Sequence, residues 1–332
     1  MISITSPNLK YLYLAFVGRL QGPQFLLLAK GLEHLTKLTL KGAFRVSDEA
    51  FAAAMPSLSQ LDSIALENAS KIGPGAITAM VKHCAQLSTV GLTYCGRLGD
   101  EAVSLLSNLS KLQSLDLCGS GEHRDLSGKD GAIIITNKSL VTVITHARLS
   151  LKSLNLKELS YVSDDILKTI KLCENLSELE LGQLVIKPEA FLEFLKPPHQ
   201  LKLNRLSLRR CVDINDDCLV ALMNVYGAWL KNLDLNGLDY LTEKGLVALH
   251  GTESDQLEEI DLGFVRALTD ELLGRIVTGA FNFAETETPN WSSQRSLRKM
   301  TVFGCQRLSE FSTQRRWTRG EVEIRVIGGE FD

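Results

Sequence analysis

A short apolar phrase, L-x-x-L-x-L, recurs along this chain at a nearly constant interval. Eleven copies are present, and their first residues are 25 to 27 positions apart except at two steps of 39 and 40. Each copy gives a short strand one apolar face, which that strand alone cannot bury. Parallel stacking of the strands buries all of these faces together, as in a leucine-rich repeat. The copies begin at Leu9, Leu35, Leu61, Leu87, Leu112, Leu151, Leu176, Leu203, Leu230, Leu257 and Leu297.

Helix-start signals follow six of these strands. A Ser, Thr, Asn or Gly precedes acidic residues there, as expected where a side chain caps a helix and acids lie at the positive end of its dipole. We therefore interpret these carboxylates as helix starts and not as catalytic clusters. The predicted fold class is α/β, a right-handed leucine-rich-repeat solenoid or horseshoe with concave parallel strands, convex helices and about eleven repeats. The signals lie at 47–49, 99–101, 163–165, 215–217, 242–243 and 269–271.

The two long steps in the spacing predict insertions into an otherwise regular array. We expect a single leucine-rich-repeat domain over residues 1–332, with inserted loops at 118–138 and 280–296. Residues 303–332 follow the last repeat, and apolar and charged side chains alternate from 322 to 326. This alternation predicts a final strand within a C-terminal basic cap.

The cysteines recur at fixed positions within the repeats. Cys95, Cys211 and Cys305 each lie eight residues after the first Leu of their repeat, whereas Cys84 and Cys173 each lie three residues before one. A recurrent position indicates a recurrent role, and a small buried apolar side chain fits it better than a metal ligand, because no C-x-x-C pair has a matching pair. The cysteine usage also favours an intracellular reducing compartment.

Composition and motifs exclude several classes of function. The formal net charge of −3 does not favour a protein that coats nucleic acid, and no apolar run approaches the roughly 18 residues that a membrane helix needs. The six histidines are scattered without metal-ligand spacing, and no catalytic Ser/His/Asp or Cys/His motif is present. We predict that the chain is not an enzyme and has no catalytic, metal or cofactor site, no small-molecule substrate and no membrane partner.

The variable positions of the strands carry polar side chains of both charges. In a leucine-rich solenoid these positions form the concave surface, which is the usual binding surface. A mixed polar face suits a folded protein partner of complementary charge. The candidate partner-binding residues on the strands and the following turns are Arg205, Arg209, Asp234, Glu259, Asp261, Phe264 and Arg266.

The C-terminal segment from 295 to 325 is basic although the whole chain is slightly acidic. It holds eight Arg or Lys residues against three Glu residues, a local charge of +5. Such a segment could contact DNA phosphates or an acidic partner, or it could be the solvated end of the repeat array. The candidate contact residues are Arg307, Arg315, Arg316 and Arg319.

Two stretches carry a resemblance to a known family. The Cys position and the "LTD" turn at 268–270 are shared by cysteine-containing leucine-rich repeats of F-box and antagonist-of-mitotic-exit proteins. More particular are "LKGAFRVSDEAF" at 40–51, and "DLGFVRALTD" at 261–270 with "VFGC" at 302–305 and the closing "VIG" at 326–328. Together they resemble the fungal radiation-sensitivity protein seven family, the leucine-rich-repeat subunits of nucleotide excision repair factor four.

The resemblance implies a nuclear scaffold for recognition of ultraviolet damage in silent chromatin. It further implies a Swi/Snf-type DNA translocase as partner, an elongin C/cullin ubiquitin ligase, and DNA contacted directly or through the partner. The family's N-terminal basic segment and zinc-binding element have no counterpart here, and only residues 1–8 precede the first repeat. We therefore expect an upstream continuation or a partner on that edge. The alternative is an F-box-like substrate-recognition subunit of another ubiquitin ligase, which an upstream F-box would favour.

The basic C-terminal segment generates the first prediction. If Arg315 and Arg316 contact DNA phosphates, duplex binding falls steeply with added salt and is lost in Arg315→Glu/Arg316→Glu, because counterion release accompanies each phosphate contact. Fluorescence anisotropy over a salt series measures this dependence. Absence of binding at low salt would identify the segment as a solvated end.

Overall fold

A computed structural model places the described residues in two units, Met1–Leu176 (unit 1) and Ser177–Asp332 (unit 2). The described residues are 8–121, 133–198, 201–250, 256–278, 296–310, 314, 317–319 and 322–327. The predicted single domain over residues 1–332 stays a prediction. Arg315 and Arg316, residues 122–132 of the first predicted loop and residues 280–295 of the second lie outside the described residues.

Unit 1 alternates parallel strands with helices. Its strands are β1 (Tyr11–Leu14), β2 (Lys37–Lys41), β3 (Ser63–Glu67), β4 (Thr89–Thr93), β5 (Ser114–Asp116) and β6 (Ser153–Asn155). Its helices are α1 (Gly22–Lys30), α2 (Asp48–Ala54), α3 (Pro74–His83), α4 (Asp100–Leu105), α5 (Asn137–Ala147) and α6 (Ile166–Ile170), with 3-10 turns at Met55–Leu58 and Leu106–Asn108. The strands pair in parallel in sequence order.

Unit 2 repeats this order and ends in a hairpin. Its strands are β7 (Glu178–Glu180), β8 (Arg205–Ser207), β9 (Asn232–Asp234), β10 (Glu259–Asp261), β11 (Lys299–Thr301), β12 (Trp317–Arg319) and β13 (Val322–Ile327). Its helices are α7 (Pro188–Phe194), α8 (Asp216–Tyr226), α9 (Glu243–Leu246) and α10 (Asp270–Thr278), with a 3-10 turn at Val247–Leu249. Strands β7 to β11 pair in parallel.

The predicted strand periodicity is confirmed. Strands β1 to β4 contain the second and third apolar residues of their phrases, and strands β5 to β11 contain the second and end one residue before the third. From β2 onward these residues are buried, as Leu38 and Leu40 illustrate, and register pairing aligns Leu38 with Ile64. Leu12 and Leu14 of β1 are only half-buried because β1 pairs with a strand on one side. Burial of each strand's apolar face therefore depends on its neighbours.

The predicted role of the cysteines as small buried side chains is also confirmed. All seven are free and buried. The Cys211 and Cys305 thiols each lie 3.1 Å from a carbonyl oxygen of the preceding repeat, at Leu181 and Leu262. Burial raises the pKa of the Cys211 thiol to about 12. These thiols are therefore protonated and poorly nucleophilic at neutral pH.

The acidic helix starts have a second role that the sequence did not suggest. Both carboxylate oxygens of Asp48 accept backbone N–H groups at the start of the next repeat's helix, α3, from Gly73, Gly75 and Ala76 at 2.7 to 2.9 Å. Asp100 likewise accepts from the backbone and hydroxyl of Thr136 at the start of α5. The first acid of one helix thus satisfies free N–H groups of the next.

The last strand is where the sequence predicts it. β13 pairs in parallel with β11, and β12 pairs antiparallel with β13, with Trp317 buried. In the part of the first predicted loop that the structure describes, Ile135 is buried and Asn137 opens α5, so the helical array resumes within that predicted range. Among the described residues, no helix is both long and apolar enough to cross a membrane.

Asp100 provides a test of these contacts between repeats. Burial opposes its ionisation, but hydrogen bonds from Ser139 and Thr136 outweigh this effect and lower its pKa. We expect Asp100→Ala to reduce the free energy of unfolding by about 2 kcal/mol at neutral pH. Because the folded-state pKa is lowered, this difference is fully present above the unfolded-state pKa and is lost as the pH falls through the folded-state value.

Urea unfolding of the wild type and Asp100→Ala over a pH series measures the difference. The matched control is Glu101→Ala, which removes the neighbouring exposed carboxylate. The role of Asp100 would be contradicted if both variants lost the same free energy of unfolding, or if the loss in Asp100→Ala did not change with pH.

Candidate functional site

The strands of unit 2 present two parallel rows of polar side chains. The middle residue of each three-residue strand is buried, so its two neighbours project to the opposite face. Register pairing aligns Arg205 with Asn232, and Glu259 with both Asn232 and Lys299. The shallow groove over these strands has a volume of about 170 Å³, which is below the usual range for small-molecule sites. The shallow groove is better suited to contact with the surface of another protein than to a small molecule.

Arg209 joins two aspartates from successive repeats. Its Nε donates to Asp234 Oδ2 at 3.0 Å, and its Nη2 donates to Asp261 Oδ2 at 2.7 Å. Burial opposes the charge on the guanidinium, but hydrogen bonds and attraction from the two carboxylates outweigh it and raise the pKa. The three side chains thus form one network of fixed geometry.

The same aspartates also hold the backbone of the turns. Asp234 accepts from the Asn236 N–H at 3.0 Å, and Asp261 accepts from the Gly263 N–H at 2.9 Å. The Asn236 side chain also donates to Asp261 at 3.1 Å. Asp234 and Asp261, predicted as partner-binding residues, therefore have a structural role. One guanidinium against two carboxylates leaves this network one net negative charge.

Arg205 and Glu259 keep their charges available. Both side chains are exposed, and Arg205 makes no hydrogen bond or ion pair with a residue in the described part of the chain. Glu259 has one distant ion pair, with Lys299 at 3.7 Å, and such an exposed pair contributes little stability. Lys299 was not among the predicted site residues, although the strand register places it in the same row. Arg205 and Glu259 can therefore form ion pairs with a partner with little loss of folding stability.

A residue with a left-handed backbone conformation lies in the turn after each strand from β1 to β11. It lies two positions after the third apolar residue, and its φ is between 53° and 75°. This backbone turn points an N–H at the next repeat: Phe264 donates to the Phe303 carbonyl at 2.7 Å, and Arg210 donates to the Asn236 carbonyl at 2.7 Å. The eleven residues are Phe16, Gly42, Asn68, Tyr94, Gly119, Glu158, Gln183, Arg210, Gly237, Phe264 and Gly304.

The "FVR" stretch at 264–266, part of the family resemblance, contains both buried and exposed side chains. Phe264 has φ 61°, and its ring meets that of Phe303 edge-on at 5.9 Å between centroids. Val265 is fully buried. Arg266 is 75% exposed, with its Nε 3.4 Å from Asp239. Of the three residues, Arg266 is the one whose charge a partner can reach.

The four predicted basic contact residues differ in what the structure shows of them. Arg307 is half-exposed, and its Nη1 lies 3.0 Å from Glu243 Oε1, so its charge is partly balanced. Arg319 lies in β12. The predicted contacts Arg315 and Arg316 lie outside the described residues. Within the described residues, no three His, Cys, Asp or Glu side chains form a group that could hold a metal ion.

The close approach of Phe264 to Gly304 generates a stability prediction. Gly304 has φ +71°, and a Cβ there would lie 2.6 Å from the Phe264 ring. Gly304→Ala should reduce the free energy of unfolding by about 1–3 kcal/mol through backbone strain and this clash. In the control Gly91→Ala, the new methyl group meets Ala65 at 3.5 Å without a positive φ. Equal denaturation midpoints for the two variants would refute the effect.

Comparisons with known proteins agree with the fold and the resemblance. No family model matches the chain. The chain is 29% identical over 277 residues to "DNA repair protein rhp7" of Schizosaccharomyces pombe. The matched region is 80% of this chain and 46% of that protein. The chain thus spans about half the length of this curated relative.

Among solved structures, Rad7 in the crystal structure of the yeast Rad7 and Elc1 complex matches with a TM-score of 0.74. The identity is 21%, and the match covers 94% of this chain and 74% of that chain. This match confirms the leucine-rich-repeat fold. The chain is therefore similar in sequence to a DNA repair protein and similar in fold to Rad7, as its "FVR" and "FGC" phrases indicate.

Proposed function

We propose that this chain is a non-enzymatic interaction scaffold in nuclear nucleotide excision repair, as the leucine-rich-repeat part of a complex that recognises DNA damage. The observation that carries the proposal is the 29% identity to rhp7, which extends over 80% of the chain. This similarity is one of sequence and extends over most of the repeats. It therefore bears on function, whereas the fold alone does not.

The proposed partners are a Swi/Snf-type DNA translocase and a cullin ubiquitin ligase that contains elongin C. Support for the ligase partner comes from the similarity in fold to Rad7, which was crystallised with Elc1. Support for the translocase comes from the resemblance of the 40–51 and 261–270 stretches to the repair family. DNA is contacted directly or through the translocase.

The strand face of unit 2 supports a binding role. Its ionisable groups Arg209, Asp234 and Asp261 hydrogen-bond with one another and with backbone groups, which fixes the surface before a partner arrives. Arg205 and Glu259 stand exposed on this surface with opposite charges. Preorganised charges of both signs give specificity for a complementary protein surface.

Copurification tests the proposed function. The tagged protein, expressed at its native level, should copurify with a helicase-like ATPase and an elongin C-containing ligase. Deletion of its gene should sensitise cells to ultraviolet light. A deletion strain with wild-type resistance, together with the absence of the ATPase from the purified material, would refute the proposal.

A charge-exchange variant tests the strand face. Arg205→Glu/Glu259→Lys leaves the net charge unchanged and removes no short hydrogen bond among the described residues, since the Glu259 carboxylate is 3.7 Å from the Lys299 ammonium. We expect it to weaken capture of the partner about tenfold or more, because like charges would then face each other across the interface.

The matched control is Glu193→Lys/Lys196→Glu, which exchanges an exposed ion pair at the end of α7. Partner capture at the wild-type level is expected for this control. Equal capture by the wild type and the Arg205/Glu259 variant would exclude this face as the docking surface.

A further inference from the structure

The two rows of side chains on the strand face of unit 2 differ in net charge. In one row, two carboxylates and two cations cancel; it consists of Glu178, Arg205, Asn232, Glu259 and Lys299. The other row, which we call the acidic row, has three carboxylates and no cation; it consists of Glu180, Ser207, Asp234, Asp261 and Thr301. The excess negative charge of this face therefore lies in one line across the strands.

Arg209 offsets only part of this negative charge. From the turn after β8, its guanidinium donates to Asp234 and Asp261 of the acidic row. The next residue, Arg210, extends over Gly237 and does not line the groove above the strands. One guanidinium against the three carboxylates of the acidic row leaves two net negative charges. A partner surface that faces this row must be positively charged to be complementary to it.

The two aspartates of the acidic row can accept further hydrogen bonds. Asp234 accepts three, at 3.0 to 3.1 Å, and Asp261 accepts three, at 2.7 to 3.1 Å. A carboxylate has about four acceptor positions, so each aspartate retains about one. The side chains of Asp234 and Asp261 are 27% and 22% exposed. A donor on a partner surface can therefore reach both carboxylates while they continue to hold the turns.

Asn236 shows that this network lacks hydrogen-bond donors. The residue is only 4% exposed, and it belongs to the network because its backbone N–H donates to Asp234 and its Nδ2 donates to Asp261. Its Oδ1 accepts no hydrogen bond from any residue in the described part of the chain. A buried acceptor without a donor is unfavourable. The site thus combines surplus negative charge with a surplus of acceptors.

We propose that the acidic row binds a lysine or arginine side chain of the protein partner at Asp234 and Asp261. Such a side chain supplies the two things that the site lacks, positive charge and N–H donors. Because the groove is shallow, the carboxylates are open to a side chain that protrudes from a protein surface. This inference rests on the proposed function, with the strand face of unit 2 as the docking surface, and it names the chemistry of the partner there.

Peptide binding tests the proposal. A fluorescein-labelled peptide in which Lys alternates with Ser is titrated with the full chain at low salt, and fluorescence anisotropy gives the dissociation constant. A matched peptide carries Glu in place of Lys and should bind more weakly. Asp234→Asn/Asp261→Asn should weaken binding of the Lys peptide about tenfold or more, because both carboxylate charges that face the bound side chain are lost.

Variants of Thr301 change the charge of the acidic row and leave the hydrogen bonds of Asp234 and Asp261 in place. Thr301 pairs in register with Asp261. Thr301→Lys should weaken binding of the Lys peptide about fivefold, and Thr301→Glu should strengthen it by a similar factor. The matched controls Thr145→Lys and Thr145→Glu change the same charges at an exposed position of α5 and should bind as the wild type does. Thermal unfolding of each variant checks that it is folded.

Four outcomes would overturn the proposal: wild-type affinity in folded Asp234→Asn/Asp261→Asn, equal affinities of the two Thr301 variants, equal changes in the Thr145 controls, or tighter binding of the Glu peptide than of the Lys peptide. None of these outcomes bears on copurification with the ATPase. If copurification succeeds and the charge effects are absent, the scaffold function stands and the charge assigned to the partner is wrong. If copurification fails and the charge effects are present, the acidic row still binds a basic side chain.

Discussion

The hydrogen bond between a left-handed turn residue and the next repeat is the interaction on which the structure depends. Strands of three to five residues offer few ladder hydrogen bonds, and the turn after each strand adds one more, as from Phe264 to Phe303 and from Gln183 to Arg209. Each such turn requires a positive φ, which is strained for residues other than glycine. The leucines beneath the strands stay buried because consecutive repeats remain in register, and the turn extends that register beyond the strand.

A second link operates where the helices begin. Asp48 and Asp100 each use both carboxylate oxygens to hold the helix start of the following repeat. The free N–H groups at the helix start of one repeat are therefore satisfied by the preceding repeat, and the apolar face of each strand is covered by neighbouring strands. A repeat of this kind has no complete set of hydrogen bonds alone, which gives the stability of a repeat array its nearest-neighbour character.

The charged residues divide into those that build the fold and those that remain for partners. Arg209, Asp234 and Asp261 belong to the first group, because each fixes a turn or joins two repeats. Arg205 belongs to the second group, since its charge is exposed and not balanced by an ion pair among the described residues.

The sequence by itself determined the strands, the buried cysteines and most helix starts, because these follow from periodicity and from neighbours within a few positions. The alternation of Val322, Ile324 and Val326 was enough to place the last strand for the same reason. Only the tertiary structure decided that Asp100 holds Thr136 and that Arg209 holds Asp261, since these partners are 36 and 52 positions apart and meet through stacking of the repeats. It also decided which predicted binding charges are already balanced. That depends on the register between strands and on the path of each turn, which the order of residues alone does not specify.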